Sequence, residues 1–170
     1  SKIGFVPQTA VLFTGSISDN IRYGNKEATD EEVAHAAEVA QAKGFIAGMP
    51  EGFNTAIAQG GTNVSGGQKQ RLSIARALVR KPEIYIFDDS FSALDFKTDA
   101  LLRAALKKET GESAVIIVAQ RVTTVMDADR ILVLDEGELV GTGSHRELMK
   151  NCQVYREIVS SQLSEEEIKS

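Results

Sequence analysis

Residues 64–72, Val-Ser-Gly-Gly-Gln-Lys-Gln-Arg-Leu, set a hydroxyl and two glycines directly ahead of a helical pattern. Leu72, Ile74, Ala75, Leu78 and Val79 recur at helical spacing after Gly66-Gly67, and Pro82 stops the run. The first amides of a helix have no internal acceptor and carry the positive end of the helix dipole. Glycine adds no Cβ to keep a ligand away from them, and Ser65 adds a hydroxyl donor. The string therefore predicts a seat for phosphate oxygens at a helix N-terminus. Ser-Gly-Gly alone is also a common cap sequence. Specificity comes from the full string and its continuation, Ser73-Ile74-Ala75-Arg76-Ala77-Leu78.

The surrounding elements must hold that seat. Ile84-Tyr85-Ile86-Phe87 is a continuous apolar run ending in Asp88-Asp89, as suits a buried parallel strand, and Ala114–Val118 is a second such run. Residues 2–6 read as a short buried strand stopped by Pro7. Strands are also expected at 131–134 and 138–140, around Asp135-Glu136-Gly137. Helices are expected over 15–24, from the Thr29/Glu32 capping box onward, from Gly44, and over 98–108, 144–150 and 152–163. Residues 52–63 read as a loop, and the tail from Ser164 as a solvated end. Strands alternate with helices after residue 82, whereas 9–81 are mostly helical. That asymmetry implies a helical subdomain inserted into an α/β core with a mainly parallel sheet.

Composition narrows the function. The 170 residues are 42% hydrophobic and 25% charged, an ordinary globular balance. Nineteen Lys and Arg against 24 Asp and Glu give a net charge of −5, which argues against a nucleic-acid partner. No apolar run approaches the roughly 18 residues that span a bilayer. The single cysteine, Cys152, excludes an internal disulfide and fits a reducing compartment. The sequence contains no C-x-x-C, H-E-x-x-H or G-x-S-x-G, so zinc sites and a nucleophile elbow have no support.

The 64–72 string resembles the signature motif of ATP-binding-cassette (ABC) nucleotide-binding domains, and other segments fall in that family's order along nearly the whole chain. Phe5-Val6-Pro7-Gln8 resembles the segment ending in the Q-loop glutamine, and Ile84–Asp88 the Walker B strand. Ser92-Ala93-Leu94-Asp95 resembles the D-loop, and Val118-Ala119-Gln120-Arg121 the switch segment. Residues 127–145 are similar to the C-terminal part of transporter cassettes. The resemblance implies a P-loop NTPase-like (RecA-like) core whose N-terminal part precedes residue 1. Its divisions would be 1–8 for the strand end and Q-loop, 9–81 for the helical subdomain, 82–150 for the α/β core, and 151–170 for a C-terminal helix and tail.

It also implies roles and ligands. ATP and Mg²⁺ are the expected cofactors. Ser65, Gly66, Gly67, Gln68, Asp88 and Asp95 are expected to bind nucleotide, with Asp95 bridging the halves of a cassette dimer and also able to cap a helix. Asp88 and Gln8 are expected at the metal, since a carboxylate at the C-terminal edge of such a strand can hold Mg²⁺ beside phosphate. Gln8, Asp89 and Gln120 are expected to act on the attacking water or the γ-phosphate.

Several positions depart from the family pattern. No G-x-x-x-x-G-K-[ST] occurs, so the chain reads as truncated before residue 1 and is expected to bind ATP weakly and to be inactive alone. Asp89 stands where active cassettes usually carry glutamate, one methylene longer. Gln120 stands where a histidine is usual and can neither carry charge nor shuttle a proton. Gln59 falls where many exporter cassettes carry glutamate. The two histidines, His35 and His145, are expected at the surface or near a helix cap. Lys69, Arg71 and Arg76 are expected on a solvated or phosphate-facing side of the signature helix.

Because family cassettes dimerise head-to-tail, Asp89 and Gln120 would serve this chain's own nucleotide and Ser65–Gln68 the partner's. The expected parent is one subunit of a heterodimeric exporter with membrane helices fused N-terminally, lying at the cytoplasmic face of the membrane. The exporter assignment rests on residues 18–24 and 154–157, which resemble cassettes fused to membrane domains. The alternatives are a non-hydrolysing nucleotide-binding regulatory half and a soluble cassette ATPase of DNA repair or translation.

Overall fold

The structure is a computed structural model, and it describes residues 2–164. The expected solvated tail from Glu165 lies outside them. The described chain forms two compact units, Ser1–Val118 and Ala119–Ser170 by their bounds, each with its own hydrophobic core.

The first unit carries a three-stranded parallel sheet of β1 (Ile3–Val6), β4 (Ile84–Asp88) and β5 (Ala114–Val118), in the order β1-β4-β5. Strand side chains alternate between faces. Val6, Tyr85 and Phe87 are buried on one face, whereas Ile3, Phe5 and Ile116 are exposed on the other. Phe91 packs on Phe87 with ring centroids 5.4 Å apart, so the turn after β4 is anchored in the core.

Between β1 and β4 lie α1 (Ile17–Arg22), α2 (Asp30–Val39), α3 (Lys43–Ala47) and α4 (Gly66–Leu78). Three of these helices begin with reciprocal capping boxes, Ser16/Asp19, Thr29/Glu32 and Ser65/Gln68. Two features differ from the sequence reading: β1 and β5, expected to be buried strands, leave Ile3, Phe5, Val115, Ile116 and Val118 exposed, and a short strand pair forms. Gly15–Ser16 and Ala56–Ile57 pair as short antiparallel strands β2 and β3, where a helix start and a loop were expected. The pairing joins segments some forty residues apart, and Asn63 secures it by donating to Ala56 O and accepting from Ala58 N. α5 (Phe96–Glu109) follows β4 with Asp95 as its N-cap.

In the second unit α6 (Val122–Val125) precedes an antiparallel hairpin, β6 (Ile131–Asp135) and β7 (Glu138–Gly143). Helices α7 (His145–Asn151) and α8 (Gln153–Gln162) complete it. Val122, Ile131, Val133, Leu148, Tyr155 and Val159 are its main buried side chains.

Candidate functional site

The start of α4 is built by its own capping box. Ser65 Oγ accepts from Gln68 N at 3.2 Å, and Gln68 Oε1 accepts from Ser65 N at 2.9 Å. Lys69 N is the first amide to bond a backbone carbonyl of the turn, Ser65 O at 2.9 Å. Helix geometry gives the amides of Gly66 and Gly67 no intrahelical acceptor. These are therefore the two amides that the first turn offers outward, on the only two residues there without side chains.

The two glycines differ in surroundings. A Cβ on Gly66 would meet nothing within 4 Å, so no protein contact requires glycine there. A Cβ on Gly67 would lie 3.2 Å from Ala93 O and 3.7 Å from Leu94 Cδ2. The Ala93–Leu94 segment thus lies directly against α4's first turn. Upstream, Gly60 and Gly61 take positive φ of 69° and 67°, a left-handed turn that glycine adopts without strain.

A second cluster forms at the C-terminal edge of the sheet. Gln8 follows the end of β1, and its Nε2 donates to Asp89 Oδ2 at 3.2 Å. Asp88 ends β4 half-buried, while Asp89 turns the chain with φ 44° and donates its amide to Val118 O at 2.8 Å. Aspartate tolerates that left-handed conformation better than most side chains. Asp95 caps α5 by accepting from Thr98 N at 2.9 Å and from Thr98 Oγ1 at 2.7 Å, and these bonds hold its carboxyl below the usual range.

The structure therefore joins Gln8 to Asp89 and sets Gly67 against Ala93 and Leu94. Gln120 lies in the second unit, exposed, with its carbonyl accepting from Gln162 Nε2 at 2.7 Å. The histidines stand apart from these clusters. His35 is exposed on α2 with Nε2 2.9 Å from Glu109 Oε2, and His145 opens α7 with Nδ1 2.8 Å from Tyr155 Oη.

The donors suit a hard cation only in company. Asp88, Asp89 and the amide of Gln8 offer oxygen ligands, but among the described residues no cluster of three or more His, Cys, Asp or Glu is placed to hold a metal ion. Mg²⁺ commonly takes one or two carboxylates and completes its octahedron with water and phosphate oxygens, which fits this set.

The basic residues of α4 differ from expectation. Arg71 donates Nη1 to Gln41 O at 2.7 Å and Nε to Gly67 O at 3.2 Å, with its guanidinium 4.8 Å from the centre of the Phe45 ring. Arg76 donates Nε to Asn20 O at 2.8 Å and Nη1 to Val11 O at 2.9 Å, and its guanidinium faces the rings of Phe13 and Tyr23. Burial lowers the pKa of both. Lys69 Nζ donates to Gly60 O at 2.8 Å. All three are half-buried and fasten neighbouring backbone to the helix, where a solvated or phosphate-facing side was expected. Two buried polar residues that hold the site were also missed, Gln70 and Ser90. Gln70 precedes Ile74 and Ala77 by four and seven residues, so its place on the buried stripe was the available signal.

A model of the ABC transporter family matches residues 1–92. An uncharacterized ABC transporter ATP-binding protein of Mycobacterium tuberculosis is 47% identical over 165 residues, which are 95% of this chain and 28% of that protein. The human mitochondrial potassium channel ATP-binding subunit is 43% identical over 160 residues, 94% of this chain and 22% of that protein. The fold superposes on a bacterial Atm1-family ABC exporter solved with ATP bound, with a TM-score of 0.92 and 40% identity over 96% of this chain and 29% of that one. This chain belongs to the ABC transporter family. It corresponds to an ATP-binding domain of the exporter-like kind, and it spans between 22% and 29% of the length of these relatives.

Proposed function

We propose that this chain is the ATP-binding part of an exporter whose two cassettes enclose ATP head-to-tail, and that it comes from the subunit with a degenerate catalytic site. The observation that carries the reading is the first turn of α4. Its capping box occupies the amides of Ser65 and Gln68 and leaves those of Gly66 and Gly67 for a ligand, with open space over Gly66. Bare amides at a helix N-terminus favour phosphate oxygens. Ser65 to Gln68 serve the γ-phosphate of a nucleotide held by the partner cassette, and Asp95 bridges the two halves. Asp88 and Gln8 serve the metal of the chain's own nucleotide, and Mg²⁺ there neutralises phosphate charge.

The chain's own site is the weaker one. Asp89 is a methylene short of the glutamate usual there, and a general base must come within about 2.6–3.2 Å of its proton. Gln120 can hydrogen-bond a phosphate but not shuttle a proton. The sequence holds no G-x-x-x-x-G-K-[ST] phosphate loop, so the 170 residues alone are inactive. In the full-length protein, membrane helices fused to the cassette place it at the cytoplasmic face of the membrane, and the partner is a different subunit.

The test is ATP turnover by the full-length heterodimer carrying Ser65→Ala or, separately, Asp89→Ala. Ser65→Ala abolishes turnover and Asp89→Ala leaves most of it. The reverse result overturns the assignment. A second reading, a half that holds ATP without hydrolysing it, is favoured by Asp89 and Gln120 together, and single-turnover hydrolysis resolved by site separates the two.

A further inference from the structure

Two consecutive carbonyls leaving β1 are each held by a buried side chain from elsewhere in the chain. Ser90, fully buried, donates Oγ to Val6 O at 3.0 Å. Gln70, 2% exposed, donates Nε2 to Pro7 O at 3.2 Å. The next residue is Gln8, whose Nε2 reaches Asp89 Oδ2. Pro7 has no amide to continue the ladder, so the corner between β1 and Gln8 takes its position from these two side-chain donors.

Ser90 comes from the same turn as Asp89, and so ties Gln8's corner to its own partner. Gln70 comes from α4, four residues after Gly66, about 6 Å along the helix axis. One helix thus carries the bare amides of Gly66 and Gly67 at its start and grips the Gln8 corner one turn later. Other polar side chains of α4 bind elsewhere: Lys69 reaches Gly60, Arg71 reaches Gln41, and Arg76 reaches Asn20 and Val11. A buried polar side chain is costly unless hydrogen-bonded, and an apolar residue would fill the stripe as well.

We infer that Gln70 is a positioning residue that links the two half-sites of the chain, holding Gln8 in register with the first turn of α4 through the carbonyl of Pro7. The inference rests on the reading that Ser65–Gln68 and Gln8–Asp89 serve two different nucleotides. Gln70 touches neither nucleotide. It keeps the spacing between the group that meets one and the amides that meet the other.

The experiment is steady-state ATPase on the full-length assembly with Gln70→Met, which matches the length of glutamine but cannot donate. The kcat falls about tenfold, the size typical of a broken coupling contact. KM for ATP moves less than about threefold, since no ligand contact is removed. With Ser65→Ala silencing the other site, Gln8→Ala and Gln70→Met each lower single-turnover phosphate release at the chain's own site about tenfold, and there the double variant stays within about twofold of the lower single, because both changes act through one corner. A native kcat for Gln70→Met overturns the inference. So do losses that multiply in the double variant, or a loss in Gln70→Met beside a native Gln8→Ala. If Gln70→Met does not fold, Gln70→Asn retains an amide withdrawn by one methylene. The same loss and the same non-additivity are expected of it, and a native kcat overturns the inference. Ser65→Ala separates the two levels. If turnover survives Ser65→Ala, the reading of the site fails. If Ser65→Ala abolishes turnover while Gln70→Met is native, only the tether fails.

Discussion

Gln8 Nε2 donates to Asp89 Oδ2 across 3.2 Å, joining the residue two past the end of β1 to the residue one past the end of β4. The carboxylate at position 89 is therefore engaged by the Gln8 side-chain amide, on a backbone with φ 44° that suits a short polar side chain. Asp89→Glu lengthens the carboxylate by one methylene, toward where the proposed function puts the attacking water. In the full-length assembly with Ser65→Ala silencing the other site, it raises single-turnover phosphate release by on the order of ten- to a hundredfold. Asp89→Asn keeps the geometry and gives no gain.

Gly66 and Gly67 separate ligand binding from folding. Gly66→Ala adds a methyl into open space, so the thermal midpoint stays within about 2 °C of native, a surface-substitution effect. On the proposed function ATP turnover nevertheless falls at least about tenfold, because the methyl stands over the amides assigned to the phosphate. Gly67→Ala meets Ala93 O at 3.2 Å and costs about 1 kcal/mol, read from urea unfolding.

Arg76 and Gly24 form one tight joint. A Cβ on Gly24 would lie 2.0 Å from Arg76 O, so Gly24→Ala forces backbone apart and destabilises by about 1–3 kcal/mol. Arg76→Met leaves the carbonyls of Asn20 and Val11 without their donor and costs about 2 kcal/mol or more. Arg76→Lys recovers little, because an ammonium cannot reproduce the planar fork. Urea titration of the three variants checks the order.

Acid weakens the helix caps. Capping bonds hold the carboxyls of Asp19, Asp95 and Glu147 below their ordinary values of 3.8, 3.8 and 4.5. A depressed folded-state pKa adds stability above the unfolded value, and that stability is lost as pH falls through the folded one. Thermal midpoints therefore drop as pH falls below about 4.5 toward 3. Asp95→Asn keeps an acceptor for Thr98 N and shows a shallower drop over the same range. An unchanged slope refutes the cap as its source.

Much of this was legible in the chain. The apolar run Ile84–Phe87 forms β4 with Asp88 at its end, and Ala114–Val118 forms β5. The Thr29/Glu32 pair caps α2, and α4 starts at the predicted glycines. These features depend on side-chain period and on bonds reaching three or four residues, so the residues needed to recognise them are neighbours in sequence. The candidate site was legible as a set of residue types but not as an arrangement.

Tertiary contacts alone decided the rest. Which strand neighbours which, β1-β4-β5, is settled by packing that no local pattern records. The β2–β3 pair and the carbonyl grips of Arg71 and Arg76 each join distant segments, and no local pattern records that these basic side chains, expected on a solvated or phosphate-facing side, also bind backbone elsewhere. The bonds that fix Gln8 span 63 residues for Gln70 to Pro7, 84 for Ser90 to Val6 and 81 for Gln8 to Asp89. A buried donor must find its acceptor wherever the fold places one, and over such separations the fold, not the spacing, chooses the partner.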